Sequence, residues 1–279
     1  MSLKHIIQKA VGAYLNISAY IAPKHTARLG FDLFCRPFSK KLKPHQKKYL
    51  EDAKYMELNH AGKKIQTYKW GNGSKNVLLI HGWASHSYRW KSYIEDLKQG
   101  DFTIYAIDAP GHGLSEGKYL TLIIYSELIA DLISKIGKID AIIGHSLGGY
   151  ATILYLNQKN ENSQVKSVIM GAPGEVSDFF EFYQKMLGLN QKTISLVNQE
   201  FLDRIGKNPS AFSAPLLAKN LTNPSFIIHD RFDKDTDFNY SVKLNAAWLD
   251  SVLKITEGLG HGLKSKSIEK EVINFISQN

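Results

Sequence analysis

The chain reads as an α/β protein on a mainly parallel, doubly wound sheet of about eight strands, with a helical insertion late in the fold and a helical extension in front. Three observations carry that reading. Short apolar runs alternate with helical patterns from residue 77 to residue 170, which predicts parallel strands covered by helices on both faces. Residues 144–149, Gly-His-Ser-Leu-Gly-Gly, join the apolar run 139–143 to a helix-compatible stretch at 150–158. From 174 to about 222 no strand pattern occurs, whereas 176–187 and 193–205 both show helical periodicity.

Taken in order, residues 1–50 predict a basic helical extension. Ile6, Ile7, Ala10, Val11, Tyr14, Leu15 and Ile21 recur at helical spacing, Phe31, Phe34 and Phe38 follow, and Lys40, Lys41, Lys43, Lys47 and Lys48 cluster behind them. Residues 53–58 and 64–70 predict an entering strand pair. Strands at 77–81, 102–107, 139–143 and 166–170 then alternate with helices near 88–98, 119–136 and 147–158. The insertion occupies 174–222, with Pro209, Pro215 and Pro224 marking the return to the sheet. A buried strand pattern starts at Ser225, and a half-alternating one runs over residues 251–256. The sheet domain is thus 51–173 together with 223–279.

The turn around Ser146 carries the chemistry. A G-x-S-x-G turn from strand to helix holds its serine on a sharp, strained bend with Oγ exposed, and Gly144 and Gly148 let the flanking chains pack closely. A serine hydroxyl needs a histidine to take its proton and a carboxylate to orient that histidine. Both candidates lie downstream, just past strand C-termini, where open α/β sheets place their ligands. One is the loop Asp230-Arg231-Phe232-Asp233-Lys234-Asp235, with Asp237 close behind; the other is Gly258-Leu259-Gly260-His261-Gly262.

Upstream, Val77-Leu78-Leu79-Ile80-His81-Gly82-Trp83 reads as a strand and turn, and Asp108-Ala109-Pro110-Gly111-His112-Gly113-Leu114-Ser115 as a D-x-P-G-x-G-x-S loop. With the serine turn and the order Ser, acid, His, these residues resemble the α/β-hydrolase family over roughly 55–278. The resemblance implies Ser146 as nucleophile, His261 as base and Asp233 as acid, with the backbone N–H groups of Trp83 and Leu147 as oxyanion hole. Asp230 stands where the family commonly has glycine, so it is the rival acid. His81, His145 and His112 are expected to orient turns, and Asp108 to support them. The resemblance also implies that the insertion is a cap over the nucleophile. Phe179, Phe182, Tyr183 and Met186 follow i, i+3, i+4, i+7 spacing and are expected to make one apolar face, which packs on its neighbours or lines an acyl pocket. The implied activity is cleavage of a small or medium apolar carboxylic ester through an acyl-enzyme. A thioesterase, a lactonase, a carbon–carbon bond hydrolase and a slow-turnover binder are the alternatives.

Other chemistries lack their residues. There is no H-E-x-x-H, no C-x-x-C and no G-x-x-x-x-G-K-[ST], so no metal and no cofactor is expected. A single cysteine, Cys35, suits a reducing compartment, and a cytoplasmic place is expected. Charge is uneven: residues 1–70 hold 14 Lys and Arg against 4 Asp and Glu, and residues 71–279 hold 21 against 22. The basic extension admits two readings. Its apolar side packs on the hydrolase domain while the lysines face water, or it makes weak contact with an anionic membrane surface. A nucleic-acid partner is not expected, because aromatics and lysines form separate blocks. The expected partner is a small-molecule ester, and oligomeric state is not legible.

Overall fold

The computed structural model describes residues 3–37, 41–159 and 164–278; Phe38 and Lys40 of the predicted aromatic and lysine blocks lie outside them. The elements in chain order are α1 (Leu3–Ile21), α2 (Pro23–Phe34), α3 (Pro44–Glu51), β1 (Leu58–His60), β2 (Lys63–Ile65), β3 (Thr67–Trp70), β4 (Lys75–Ile80), α4 (Lys91–Leu97), β5 (Phe102–Ile107), α5 (Leu122–Ile136), β6 (Ala141–His145), α6 (Leu147–Lys159) and β7 (Lys166–Met170). There follow α7 (Val176–Leu187), α8 (Gln191–Ile205), α9 (Ala214–Ala218), β8 (Ser225–Asp230), α10 (Phe238–Ala247), β9 (Ser251–Thr256) and α11 (Lys266–Ser277). The chain divides into two compact units: Met1–Arg36 with Glu175–Ser213, and Pro37–Gly174 with Ala214–Asn279.

The larger unit is a seven-stranded sheet in the order β3-β5-β4-β6-β7-β8-β9. β3 runs antiparallel to β5, and every other pairing is parallel. The expected eighth strand is absent from it. Residues 53–58 contribute an isolated bridge, Lys54 to Lys69, and the chain then folds into a separate β1–β2 hairpin. Ala61 and Gly62 between those strands both take positive φ, 47° and 73°, the conformation of a tight two-residue hairpin turn. The local alternation there was a hairpin's and not a sheet strand's. β5, β6 and β8 are buried at every residue, as strands covered on both faces must be. At the edge, β9 leaves Val252 and Ile255 exposed, which explains its half-alternating sequence. α3 belongs to this unit, although the sequence groups it with the extension.

In the smaller unit the N-terminal helices and the insertion helices pack on one another. Pro23 opens α2 at a position where a missing N–H costs nothing. Phe34 stacks on Phe180 at 4.5 Å, and the Tyr183 hydroxyl donates to the Gly30 carbonyl at 2.9 Å. Asn16 ties α1 to the α7–α8 turn: its Nδ2 donates to Gly188 O and its Oδ1 accepts from Asn190 N–H, both at 2.9 Å. The buried stripe of α7 is Val176, Phe180, Tyr183 and Leu187. The expected single apolar face of Phe179, Phe182, Tyr183 and Met186 is therefore out of phase: Tyr183 is buried, Phe182 is 67% exposed, and Phe179 and Met186 are half-buried. In α1, Leu15 and Ala19 are buried, while Ile6, Ile7, Tyr14 and Ile21 face solvent.

Three buried polar side chains lock the loops at the C-terminal edge of the sheet. Asp108 accepts from Ser87 N–H and Oγ, both at 2.7 Å, from the Tyr68 hydroxyl at 2.8 Å and from Leu114 N–H at 3.0 Å. His81 donates from Nδ1 to Gly82 O at 2.7 Å and accepts Ala109 N–H on Nε2 at 3.0 Å. His112 donates from Nδ1 to Pro110 O at 3.0 Å and accepts Ala84 N–H on Nε2 at 3.1 Å. Each imidazole works as one donor and one acceptor, which only the neutral ring can do. Burial pushes both pKa values down to about 3.

Two outcomes follow. An unfolded chain binds protons on these histidines below about pH 6.5, whereas the folded chain refuses them until about pH 3. Stability is therefore fully present above pH 6.5 and falls with acidification by about 1.4 kcal/mol per pH unit for each ring. Urea titrations between pH 7 and pH 5 should show this slope, and His112→Gln should reduce it. In α1, a Cβ on Gly12 would lie 1.9 Å from the Leu187 carbonyl oxygen. Gly12→Ala should thus cost about 1–3 kcal/mol and speed limited proteolysis between α1 and α2.

Candidate active site

Ser146 sits between the last residue of β6 and the first of α6, at φ 54°, a left-handed conformation that costs a non-glycine residue about 1–2 kcal/mol. Its backbone is held on both sides. The N–H donates to Met170 O at 2.8 Å, and the carbonyl accepts from Tyr150 N–H at 3.1 Å. A Cβ on Gly148 would lie 2.5 Å from the carbonyl oxygens of Ile80 and His81, so this crossing of helix and strand admits only glycine. The turn after β4 comes equally close: a Cβ on Gly82 would lie 2.8 Å from Ser146 Cβ. Trp83 follows Gly82 with its ring edge-on to His112 at 5.7 Å. Leu147 is the first residue of α6, so the helix itself makes no use of its N–H. Both expected oxyanion donors thus belong to segments adjoining the serine.

Asp233 follows β8, with its side chain fully buried, and its Oδ2 lies 2.8 Å from His261 Nδ1. The same oxygen accepts from Thr236 Oγ1 at 2.9 Å and lies 3.3 Å from His229 Nε2, while Oδ1 accepts the N–H groups of Asp235 and Thr236 at 2.8 and 3.2 Å. Burial alone raises the Asp233 pKa. The hydrogen bonds from His229, His261 and Asp235 N–H outweigh it and hold the carboxyl well below the usual carboxylate range. His229 is itself fixed, its Nδ1 2.6 Å from Ser241 Oγ. Asp230, the rival acid, is engaged elsewhere: it accepts from Phe232 N–H, Thr256 Oγ1 and Leu259 N–H at 3.0, 2.9 and 2.8 Å. It joins the ends of β8 and β9 and does not bond to the imidazole.

The loop of His261 is tied to the serine turn through His145. His145 Nε2 donates to the His261 carbonyl at 2.7 Å, and the two rings lie 4.9 Å apart. Arg89 donates from Nη1 to His145 Nδ1 at 2.6 Å and from Nη2 to Gly262 O at 3.3 Å, with its guanidinium 4.8 Å from the Trp90 ring. Burial, followed by the nearby Arg89 cation, keeps His145 neutral. Burial also draws the Arg89 pKa down to about 10, which leaves it charged at neutral pH. Arg89, His229 and Thr236 had no signal in the sequence. An arginine is by default a surface residue, and nothing local marks this one as turned inward. Asp233, Asp235 and His261 bring possible metal-ligating atoms within 4.8 Å of one another. Because two of these three are the hydrogen-bonded acid and base, a cation there would compete with a proton on His261.

Of the expected site residues, Asp233 and His261 are directly bonded, and Ser146, Trp83 and Leu147 occupy adjoining turns. Phe179, Phe182, Tyr183 and Met186 lie in the other compact unit. The arrangement offers an anion–imidazole pair, a strained serine and backbone donors.

Comparison with known proteins identifies the family. The family described as serine aminopeptidase, S33, matches residues 71–260. A pimeloyl-[acyl-carrier protein] methyl ester esterase of Nitrosomonas europaea is 36% identical over 104 residues, 37% of this chain and 39% of that protein. A monoacylglycerol lipase of Mycolicibacterium smegmatis is 24% identical over 243 residues, 72% of this chain and 86% of the lipase. The chain thus spans well under two thirds of the length of the first relative and most of the second. A bromoperoxidase of Bacillus anthracis shares the fold, with a TM-score of 0.64 at 19% identity over 81% of this chain and 100% of that one. The match over residues 71–260, on a mostly parallel sheet with a strained serine turn, makes the chain a member of the serine aminopeptidase S33 family of α/β hydrolases.

Proposed function

We propose that the protein is a serine hydrolase of small or medium apolar carboxylic esters that works through an acyl-enzyme. The observation that carries this reading is the 2.8 Å bond between His261 and a buried, ionised Asp233, with the His261 backbone tied to His145, the residue before Ser146. His261 Nε2 takes the proton of Ser146 Oγ as the oxygen attacks the ester carbonyl. Asp233 holds the proton on Nδ1 and stabilises the imidazolium that forms. The N–H groups of Trp83 and Leu147 receive the oxyanion, each contributing about 3–4 kcal/mol by analogy with a comparable donor. Collapse expels the alcohol, which takes its proton from His261, and water then releases the acid by the same route.

The relatives named as a methyl ester esterase and a monoacylglycerol lipase support an ester as the substrate class. Within α7, Phe179, Phe182 and Met186 lie outside the buried stripe, and the Tyr183 hydroxyl donates to the Gly30 carbonyl. A cytoplasmic place belongs to the same proposal and rests on Cys35 being the one cysteine of the chain. A lipid surface as a second partner rests on the basic N-terminal residues.

Ser146→Ala should abolish cleavage of p-nitrophenyl butyrate with an unchanged circular dichroism spectrum; near-normal turnover would refute the nucleophile. Asp233→Asn should lower kcat by roughly 10⁴-fold, the scale seen when a triad acid is neutralised, and Asp230→Asn far less. The reverse ranking would move the acid to Asp230. Arg89→Met removes the donors that brace His145 and Gly262, and it should lower kcat about tenfold with little change in KM. A loss confined to KM would place Arg89 in substrate binding instead.

A further inference from the structure

The exposed face of α1 is apolar where an ordinary surface helix is polar. Leu3, Ile7, Tyr14, Ile17 and Ile21 follow one another at three-, four- and seven-residue steps, with Ile6 and Tyr20 beside them, and all seven are more than half exposed. Leu3, Ile17 and Ile21 reach 74, 65 and 79%. The helix cannot turn this stripe inward. Its other side is already taken by buried Leu15 and Ala19, by Gly12 against the Leu187 backbone and by the Asn16 hydrogen bonds. A contiguous exposed apolar patch of this kind marks an interaction surface.

Charge selects the occupant. Residues 1–31 contain four Lys and Arg and no Asp or Glu. Lys9 and Lys24 are exposed on α1 and at the start of α2, and the Lys192 ammonium lies 4.0 Å from the Tyr20 ring centroid. Two such faces from two copies would bring cations against cations, whereas an anionic headgroup layer supplies the missing charge. A helix of 19 residues is about 28 Å long, and no helix among the described residues is long and apolar enough to cross a membrane. Its geometry suits lying in the headgroup plane.

We infer that α1 is a lipid-docking helix that seats this stripe in the boundary between headgroups and acyl chains of an anionic bilayer, with Lys9, Lys24 and Lys192 on the phosphates. This deepens the lipid-surface part of the proposed function and is independent of Ser146, so ester turnover in solution is read separately. The full chain is floated with vesicles of phosphatidylglycerol and phosphatidylcholine, or of phosphatidylcholine alone. Binding should be roughly tenfold or more stronger to the anionic vesicles and should weaken with salt. Ile7→Gln/Ile17→Gln/Ile21→Gln should lose flotation while keeping the wild-type dichroism and p-nitrophenyl butyrate rate, and Lys9→Gln/Lys24→Gln should lose the preference for phosphatidylglycerol. Flotation of the triple variant equal to wild type, or no flotation of wild type with either vesicle, would overturn the inference. So would a wild-type dimer in light scattering that the triple variant dissolves, since a second copy would then own the face.

Discussion

The left-handed backbone at Ser146 is the constraint around which the catalytic unit is arranged. At φ 54° the serine is under strain, and the surroundings must over-determine it. Two backbone hydrogen bonds fix its N–H and carbonyl, and Gly148 lets α6 press against the end of β4. Once α6 starts there, the Leu147 N–H is left without a helical acceptor, and the Gly82–Trp83 turn is brought within contact of the serine. Strain, close packing and free donors are consequences of one bend.

The loops above that bend are secured by neutral or buried groups, and this arrangement has an electrostatic logic. His81 and His112 each bridge two segments with one donor and one acceptor, so protonating either ring removes an acceptor that a backbone N–H needs. Asp108 satisfies four donors from three segments. Beside this frame stand two further charges with different partners. Asp233 is kept anionic by donors converging from His229, His261, Thr236 and its own loop backbone, and Arg89 is kept by uncharged acceptors, His145 and the Gly262 carbonyl. The imidazole at 261 thus has its ring oriented by a carboxylate and its backbone braced by a histidine and an arginine.

What was legible in the sequence was what local pattern determines. Continuous apolar runs between turn signals located β4 through β8 to within a few residues, and the 3.6-residue period located α7 at its actual bounds. The spacing of Ser146, Asp233 and His261 past three strand ends follows from chain order, which the sequence carries directly. What depended on tertiary packing was lost. The pattern near residue 55 belonged to a hairpin turned by Ala61 and Gly62, which leaves seven strands in the sheet. On α7 the apolar residues outnumber the positions that can be buried, so spacing alone could not choose between the stripe through Phe179 and the one through Phe180; contact with Phe34 of α2 chose it. Arg89 braces the site from a segment where charge alone suggests solvent. On α1 the period showed the helix, but periodicity reports that a helix has an apolar side without reporting what lies against it, so it left the two readings of the extension open.

The account stands on whether Ser146 is an activated nucleophile, and reaction with a fluorophosphonate followed by peptide mass spectrometry reads this directly. The account predicts rapid, stoichiometric phosphonylation on Ser146 alone, and strongly slowed labelling in His261→Ala. An unreactive Ser146, modification of a different serine, or labelling indifferent to His261 would contradict it.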